Sequence, residues 1–206
     1  MFESFKIESL TFQYSQTRPV LKGIYLNTKA SEIVGISGQN GAGKSTLFNA
    51  LTIFFNEMKG SVFINDVYVP PKELIKEIAY LPQMPFLPKE KKVKSVVKMF
   101  PIPKEKQTSI LTDERISQFQ SQRVATLSGG EKRYLEFLLI NNLPKNIVIL
   151  DEPFSEIEPI YEEKICNQIL ENSKTRLYLI SDHNIAILKK LCTRILVLKN
   201  GYLEEV

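Results

Sequence analysis

From Glu32 to Ala50 the chain reads EIVGISGQNGAGKSTLFNA. "EIVGIS" is a short apolar run of the kind that forms a buried strand. It leads directly into "GQNGAGKST", which fits G-x-x-x-x-G-K-[ST] through Gly38, Gly43, Lys44 and Ser45. "KSTLFNALTIFF" then reads as a helix. A strand, a glycine-rich turn and a helix in that order bring backbone N–H groups and a helix N-terminus onto one anion. Glycines let the backbone wrap phosphate with no Cβ in the way. Residues 38–46 are therefore expected to hold a nucleoside triphosphate, with Asn40, Gly41, Ala42 and Gly43 in the loop and Lys44, Ser45 and Thr46 opening the helix. Lys44 supplies a mobile positive charge for the β- and γ-phosphates, and the Ser45 hydroxyl can ligate Mg²⁺.

Such a site needs a carboxylate at the end of a neighbouring strand. "NIVILDEP" offers Asp151, which can hold Mg²⁺ through water, and next to it Glu152, which can polarise an attacking water as general base. The rest of the chain supports this pairing. After residue 127 it alternates: helix 129–142, strand "IVILD", helix about 159–172, strand "RLYLIS", helix 184–191, strand "RILVL". That alternation predicts an α/β fold with a mostly parallel sheet. The first third reads as strands, with "FKIESLTFQY" alternating through Phe5, Ile7, Leu10, Phe12 and Tyr14, then "SVFIND" and "IAYLP". Residues 84–126, rich in Lys, Gln and Pro, fit short helices joined by proline turns and look inserted.

A second anion grip follows the insertion. In "TLSGGEKRY" Ser128, Gly129 and Gly130 stand before a helical stretch. In this order the chain resembles the ATP-binding cassette (ABC) ATPases over essentially its full length, with "LSGGE" similar to that family's signature motif. The resemblance implies a P-loop NTPase with a RecA-like core sheet, an N-terminal antiparallel β subdomain and a short inserted helical subdomain. It also implies a single domain, residues 1–83 and 127–206 forming the nucleotide-binding core and 84–126 the helical insertion. In that family the signature holds the γ-phosphate of ATP bound to the opposite subunit. Ser128, Gly129 and Gly130 would thus act in trans, in a head-to-tail dimer around two ATP, with a second identical chain expected.

The resemblance assigns further roles. Tyr14 stands where the family stacks an aromatic ring on adenine, and Gln83 in "YLPQ" where a glutamine ligates Mg²⁺ and senses the γ-phosphate. His183, the only histidine, stands in "SDHN" where a switch histidine contacts that phosphate. Glu152, His183 and Lys44 are the expected catalytic residues. Ser45, Gln83 and Asp151 are the expected metal ligands. The loop "FSEIEP" ends in Ile157 and Glu158 where the family has Leu-Asp. Arg133 keeps a familiar basic position, while "FLLIN" replaces the family's usual small residues.

Composition sets outer bounds. At 206 residues, 43% of them hydrophobic and 24% charged, the chain can bury a full core, and its net charge of +4 describes a mildly basic, solvated surface. Apolar runs such as "FLLI" (137–140) fall far short of the roughly 20 residues a membrane helix needs. "MFESFKIESL" carries no basic stretch followed by an apolar core, so no leader is expected. Cys166 and Cys192 have no metal-ligand spacing and read as buried free thiols. The resemblance then implies the energising subunit of a transporter whose integral membrane permease is a separate chain. That permease would dock near Met84, Phe86 and Leu87, leaving this subunit cytoplasmic and peripheral on the inner face of the membrane. Lysines 89, 91, 92, 94 and 98 read as a solvated face beside the docking region. A fainter resemblance runs to lipopolysaccharide-export and branched-chain amino acid transporter ATPases. The alternative is a soluble, non-transport ABC ATPase acting on a protein or nucleic-acid partner. Against it, 84–126 shows no heptads and the chain holds one cassette, so no nucleic acid is expected.

Overall fold

The computed structural model describes residues 2–14, 19–53, 57–155 and 157–205. Two sheets carry the fold. The first is antiparallel, in the order β2-β1-β4-β5: β1 (Ser4–Phe12), β2 (Leu21–Lys29), β4 (Lys59–Ile64) and β5 (Val67–Tyr68). The second has six strands ordered β10-β9-β3-β8-β7-β6: β3 (Ile33–Ser37), β6 (Ile78–Leu81), β7 (Ile147–Asp151), β8 (Leu177–Ser181), β9 (Arg194–Lys199) and β10 (Tyr202–Glu205). β9, β3, β8, β7 and β6 run parallel, and β10 turns back against β9. The α/β architecture expected from the alternating pattern is present.

The pleat of the parallel sheet feeds two cores. Val34, Ile36, Ile147, Ile149, Leu177 and Leu179 pack toward the antiparallel sheet and α1 (Lys44–Thr52). Their neighbours Ile33, Val148, Leu150, Tyr178 and Ile180 pack toward the opposite side. There they meet α6 (Gly129–Asn141), α7 (Pro159–Asn172) and α8 (Ile185–Leu191). Successive side chains of a strand point to opposite faces, so β3, β7 and β8 are buried at every position because both faces are covered, with a polar residue only at the last position of each.

Between β6 and α6 lie α3 (Val93–Met99), α4 (Lys104–Thr112), α5 (Ile116–Phe119) and a 3₁₀ turn (Val124–Thr126). Pro103 stands immediately before α4, where its fixed φ starts a helix. Val93, Val96, Val97, Ile110, Ile116 and Phe119 tie these helices to α6 in one core. Lysines 89, 91, 92, 94 and 98 are all exposed.

Some boundaries move. "SVFIND" does not run to Asp66, because the strand stops at Ile64 and Asn65 and Asp66 take φ of 52° and 59°. Two left-handed residues between antiparallel strands make a tight hairpin that Asn and Asp tolerate. Tyr14 lies beyond β1, its ring edge-on to Phe12 at 4.9 Å, and is not part of the strand alternation. α1 ends at Thr52, and Phe54 and Phe55 of the expected helix lie outside the described residues. α2 (Pro71–Glu77) and the short strands β5 and β10 have no counterpart in the sequence reading. Among the described residues no helix is long and apolar enough to cross a membrane.

Candidate active site

β3 ends at Ser37, and residues 38–43 turn the chain into α1. Gly38 has a φ of 150°, and a Cβ there would stand 2.7 Å from the Leu198 carbonyl oxygen of β9. Backbone occupies that space, so only glycine fits. Gly41, at φ 80°, faces open space on its side-chain side. Gly43 caps α1 with no side-chain bond, which leaves the first-turn N–H groups of the helix directed out of it. Lys44 is buried, and its Nζ donates to the carbonyls of Gly38 at 2.9 Å and Gln39 at 3.4 Å. The loop thus holds its own cation, bound to backbone oxygens, at a helix N-terminus.

The neighbouring strand tips complete the wall. β7 and β8 pair in parallel with Asp151 opposite Ser181. Asp151 is fully buried; Ser181 Oγ donates to its Oδ1, while its Oδ2 has no hydrogen bond among the described residues. Glu152 has a φ of 50°, a left-handed conformation that a non-glycine residue adopts only under constraint. Its N–H donates to Ser181 O at 2.9 Å, and its Oε2 accepts from Gln83 Nε2 at 2.9 Å. His183 Nδ1 stands 3.9 Å from Glu152 Oε2 and 3.7 Å from Asp182 Oδ1. The imidazole is mostly exposed and lies within 4 Å of both carboxylates. Tyr80, which donates to Asn49 Oδ1 at 2.9 Å, keeps its proton well above the ordinary tyrosine range through burial and the charge of nearby Asp151.

A cleft of about 490 Å³ is lined by Asn40, Gly41, Gly43, Lys44, Ser45, Thr46, Gln83, Glu152 and His183. Residues from four separate stretches of chain therefore meet there. Of the other expected site residues, Gly38 and Ala42 lie within the loop and Asp151 lies beside Glu152, though none of the three lines the cleft. Tyr14 donates or accepts a hydrogen bond with Thr46 Oγ1 at 3.1 Å. Its neighbours 15–18 lie outside the described residues. Ser128, Gly129 and Gly130 do not line the cleft, and Ser128 and Gly129 are exposed. Ser128 Oγ accepts from Glu131 N at 3.1 Å while Glu131 Oε2 accepts from Ser128 N at 2.7 Å, a capping box at the start of α6.

One expected surface residue needs correction. Met84 and Phe86 are exposed, but Leu87 is buried and belongs to the core that α3, α4 and α5 share with α6. The chain turns inward after Phe86, and an apolar side chain at that turn packs rather than projects. Two residues of the site were not read from sequence, Ser181 and the buried Glu136 of α6. Position gives a signal for Ser181, a polar residue closing the apolar strand "LYLIS". Glu136 gives none, since a charge on a helix ordinarily faces water.

The fold and cleft define a P-loop nucleotide-binding α/β protein with a carboxylate poised at the strand tip. Residues 21–155 match the model of the ABC transporter family, and the chain belongs to that family, whose members hydrolyse ATP to power transport. It is 30% identical to an uncharacterized ABC transporter ATP-binding protein of Methanocaldococcus jannaschii, over 95% of this chain and 74% of that protein. It is 27% identical to the lipopolysaccharide export system ATP-binding protein LptB of Acidithiobacillus ferridurans, over 98% of this chain and 88% of that one. Among solved structures, the ATP-binding subunit of an ABC transporter superposes with a TM-score of 0.85 at 23% identity, covering 97% of this chain and 87% of the other.

Proposed function

We propose that two copies of this chain close head to tail around two ATP and energise transport through a separate membrane-spanning chain. One observation carries the reading. The cleft gathers the phosphate loop, Gln83, Glu152 and His183, while Ser128 and Gly129 lie exposed outside it. A phosphate grip exposed outside its own cleft suits the cleft of a partner.

Within the cleft, the backbone of residues 40–43 and the α1 N-terminus orient the triphosphate, and Tyr14 offers its exposed ring to adenine. Lys44 Nζ exchanges its carbonyl contacts for phosphate oxygens. Glu152 takes a proton from the attacking water, and Gln83 and His183 hold that carboxylate and the γ-phosphoryl group in line. The residues present fit magnesium: Asp151 carries a buried carboxylate oxygen without a hydrogen bond among the described residues, and Ser45 and Gln83 line the cleft. Ser45, Gln83 and, through water, Asp151 would hold the ion, which neutralises charge between the phosphates when bound.

Residues 84–126 form an inserted helical unit in this reading, and exposed Met84 and Phe86 take the membrane chain, placing this subunit on the cytoplasmic face of the membrane. Mixing tests the trans arrangement. Lys44→Ala and Ser128→Arg are each expected to lose hydrolysis. In a mixture, mixed dimers hold one intact composite site, so up to about a quarter of wild-type activity returns if chains pair at random. No recovery in mixtures shown to contain mixed dimers would defeat the proposal.

A further inference from the structure

α6 begins with the exposed Ser128 and Gly129, and one turn further on it carries a buried cation. Arg133 is 8% exposed and Glu136, three residues later, 1%. Ion pairs at this spacing ordinarily lie in water and contribute little. Burying both charges is costly unless most of their polar atoms find partners. Burial pushes the Glu136 carboxyl up and the Arg133 guanidinium down from their usual ranges, and each partner's charge opposes the shift of the other. A helix pair placed this way calls for a reason.

The reason lies in what the two side chains hold. Arg133 Nη1 donates to the Pro82 carbonyl at 2.7 Å and to Glu136 Oε2 at 3.3 Å. Arg133 Nη2 donates to the Asp151 carbonyl at 2.6 Å and to the Glu152 carbonyl at 3.2 Å. The other Glu136 oxygen, Oε1, accepts from the Phe86 N–H at 3.1 Å. Pro82 follows directly on β6, and Asp151 closes β7. Each backbone acceptor therefore lies where the chain leaves the ladder and must find a partner elsewhere.

The contacts at 151 and 152 have a particular effect. The two carbonyls bound by one guanidinium nitrogen stand on either side of the Glu152 Cα, so the contact spans the dihedrals of the residue whose φ is 50°. A strained backbone persists only where its surroundings over-determine it. Here Arg133 holds the carbonyls while Ser181 O takes the Glu152 N–H at 2.9 Å. On the other side, Arg133 and Glu136 grip the segment 82–86 at both ends. Gln83 lies inside that segment and donates to the Glu152 carboxylate at 2.9 Å. Backbone and side chain of Glu152 thus answer to the same few bonds.

We infer that Arg133 and Glu136 are positioning residues that join the segment 82–86, through α6, to the turn holding Glu152. The inference rests on the reading of Glu152 as the base. It makes the exposed Met84 and Phe86 one end of a short continuous chain of hydrogen bonds whose other end is the Glu152 backbone. Displacement of that segment is expected to release the Gln83 contact and loosen the strained turn together, and α6 carries the same displacement to Ser128.

The test is Arg133→Met combined with Glu136→Leu, which removes both charges and leaves neither one buried alone. Replacing a buried pair by apolar residues of similar size is often neutral for stability. Here the change also takes the donor from the Pro82, Asp151 and Glu152 carbonyls, so the double variant of the full chain is expected to melt at a lower temperature, to keep its KM for ATP within about twofold, and to lose about tenfold or more in kcat, because a small misplacement at a reacting group is costly. Hydrogen exchange is expected to quicken in 83–87 and in 150–154 together. Wild-type kcat, or faster exchange in only one of the two stretches, would overturn the inference. Where the double variant does not fold, Arg133→Lys serves: it keeps the charge beside Glu136 but lacks the planar fork. The same loss of kcat at unchanged KM is expected, and wild-type kcat there overturns the inference equally. Glu152→Gln in the same assay separates the two readings. Normal turnover by Glu152→Gln removes the base. An inactive Glu152→Gln beside a fully active double variant removes only the positioning role.

Discussion

Lys44 and Ser128 stand at the starts of α1 and α6, each next to glycine, and the first is buried while the second is exposed. Around Lys44 the loop closes on itself: its ammonium binds two of the loop's own carbonyls and β9 presses against Gly38. Around Ser128 the bonds are local to one helical turn, and the outer face touches water. The difference teaches where each loop is finished. The first is fixed by its own chain and needs only a ligand. The second is a formed helix end whose Ser128 and Gly129 are exposed among the described residues, which suits a surface completed from outside.

The largest expected effect probes chemistry without touching either loop. Glu152→Gln should still bind ATP while hydrolysing it at least ~100-fold more slowly, the scale of a lost general base. Single-turnover assays beside equilibrium binding will show it, and near wild-type turnover would remove Glu152 from that role. A smaller effect separates the loops directly. Gly38→Ala meets the Leu198 carbonyl and should cost about 1–3 kcal/mol in a thermal melt, together with lost ATP affinity in the single chain. Gly129→Ala, on the exposed first turn of α6, should leave stability within about 0.5 kcal/mol and single-chain affinity unchanged, while hydrolysis falls. If Gly129→Ala lowered single-chain affinity instead, the contrast between the loops would break.

The smallest effect concerns the core behind both. Burial pushes the Cys192 thiol from its ordinary 9.0 up to about 12. It also lifts the hydroxyls of Tyr134 and Tyr178 above their usual range. These groups keep their protons in the folded chain and release them when unfolded. Their contribution is intact below about pH 9 and is lost as pH climbs toward 12. Melting temperature should decline across that window, and Cys192→Ala should shallow the decline.

Much of this architecture was legible because it is local. A strand, the string GQNGAGKST and a helix follow one another without a break, so the loop and its helix follow from sequence order. "NIVILDEP" carries its strand and its acids in the same way. What sequence did not disclose depends on contacts far along the chain. Arg133 and Glu136 have the spacing of a solvated pair, and only the arrival of residues 82–86 and 151–152 above them buries both. Leu87 reads like Met84 and Phe86 beside it until it joins the core of α3, α4, α5 and α6. The short strand β10 exists because β9 offers it an edge, and a stretch of four residues has little pattern to read.

Ser128 Oγ accepts a hydrogen bond from the Glu131 N–H, and the Ser128 N–H is already given to the Glu131 carboxylate. Starting the helix asks only for an acceptor, and Asp or Asn would serve α6 as well. With one lone pair of the hydroxyl given to the helix, its proton remains available to donate. The residue's own amide is engaged, so it cannot compete for an incoming anion. Folding has therefore divided the hydroxyl: its acceptor serves the helix, and its donor is the half that recognition would use.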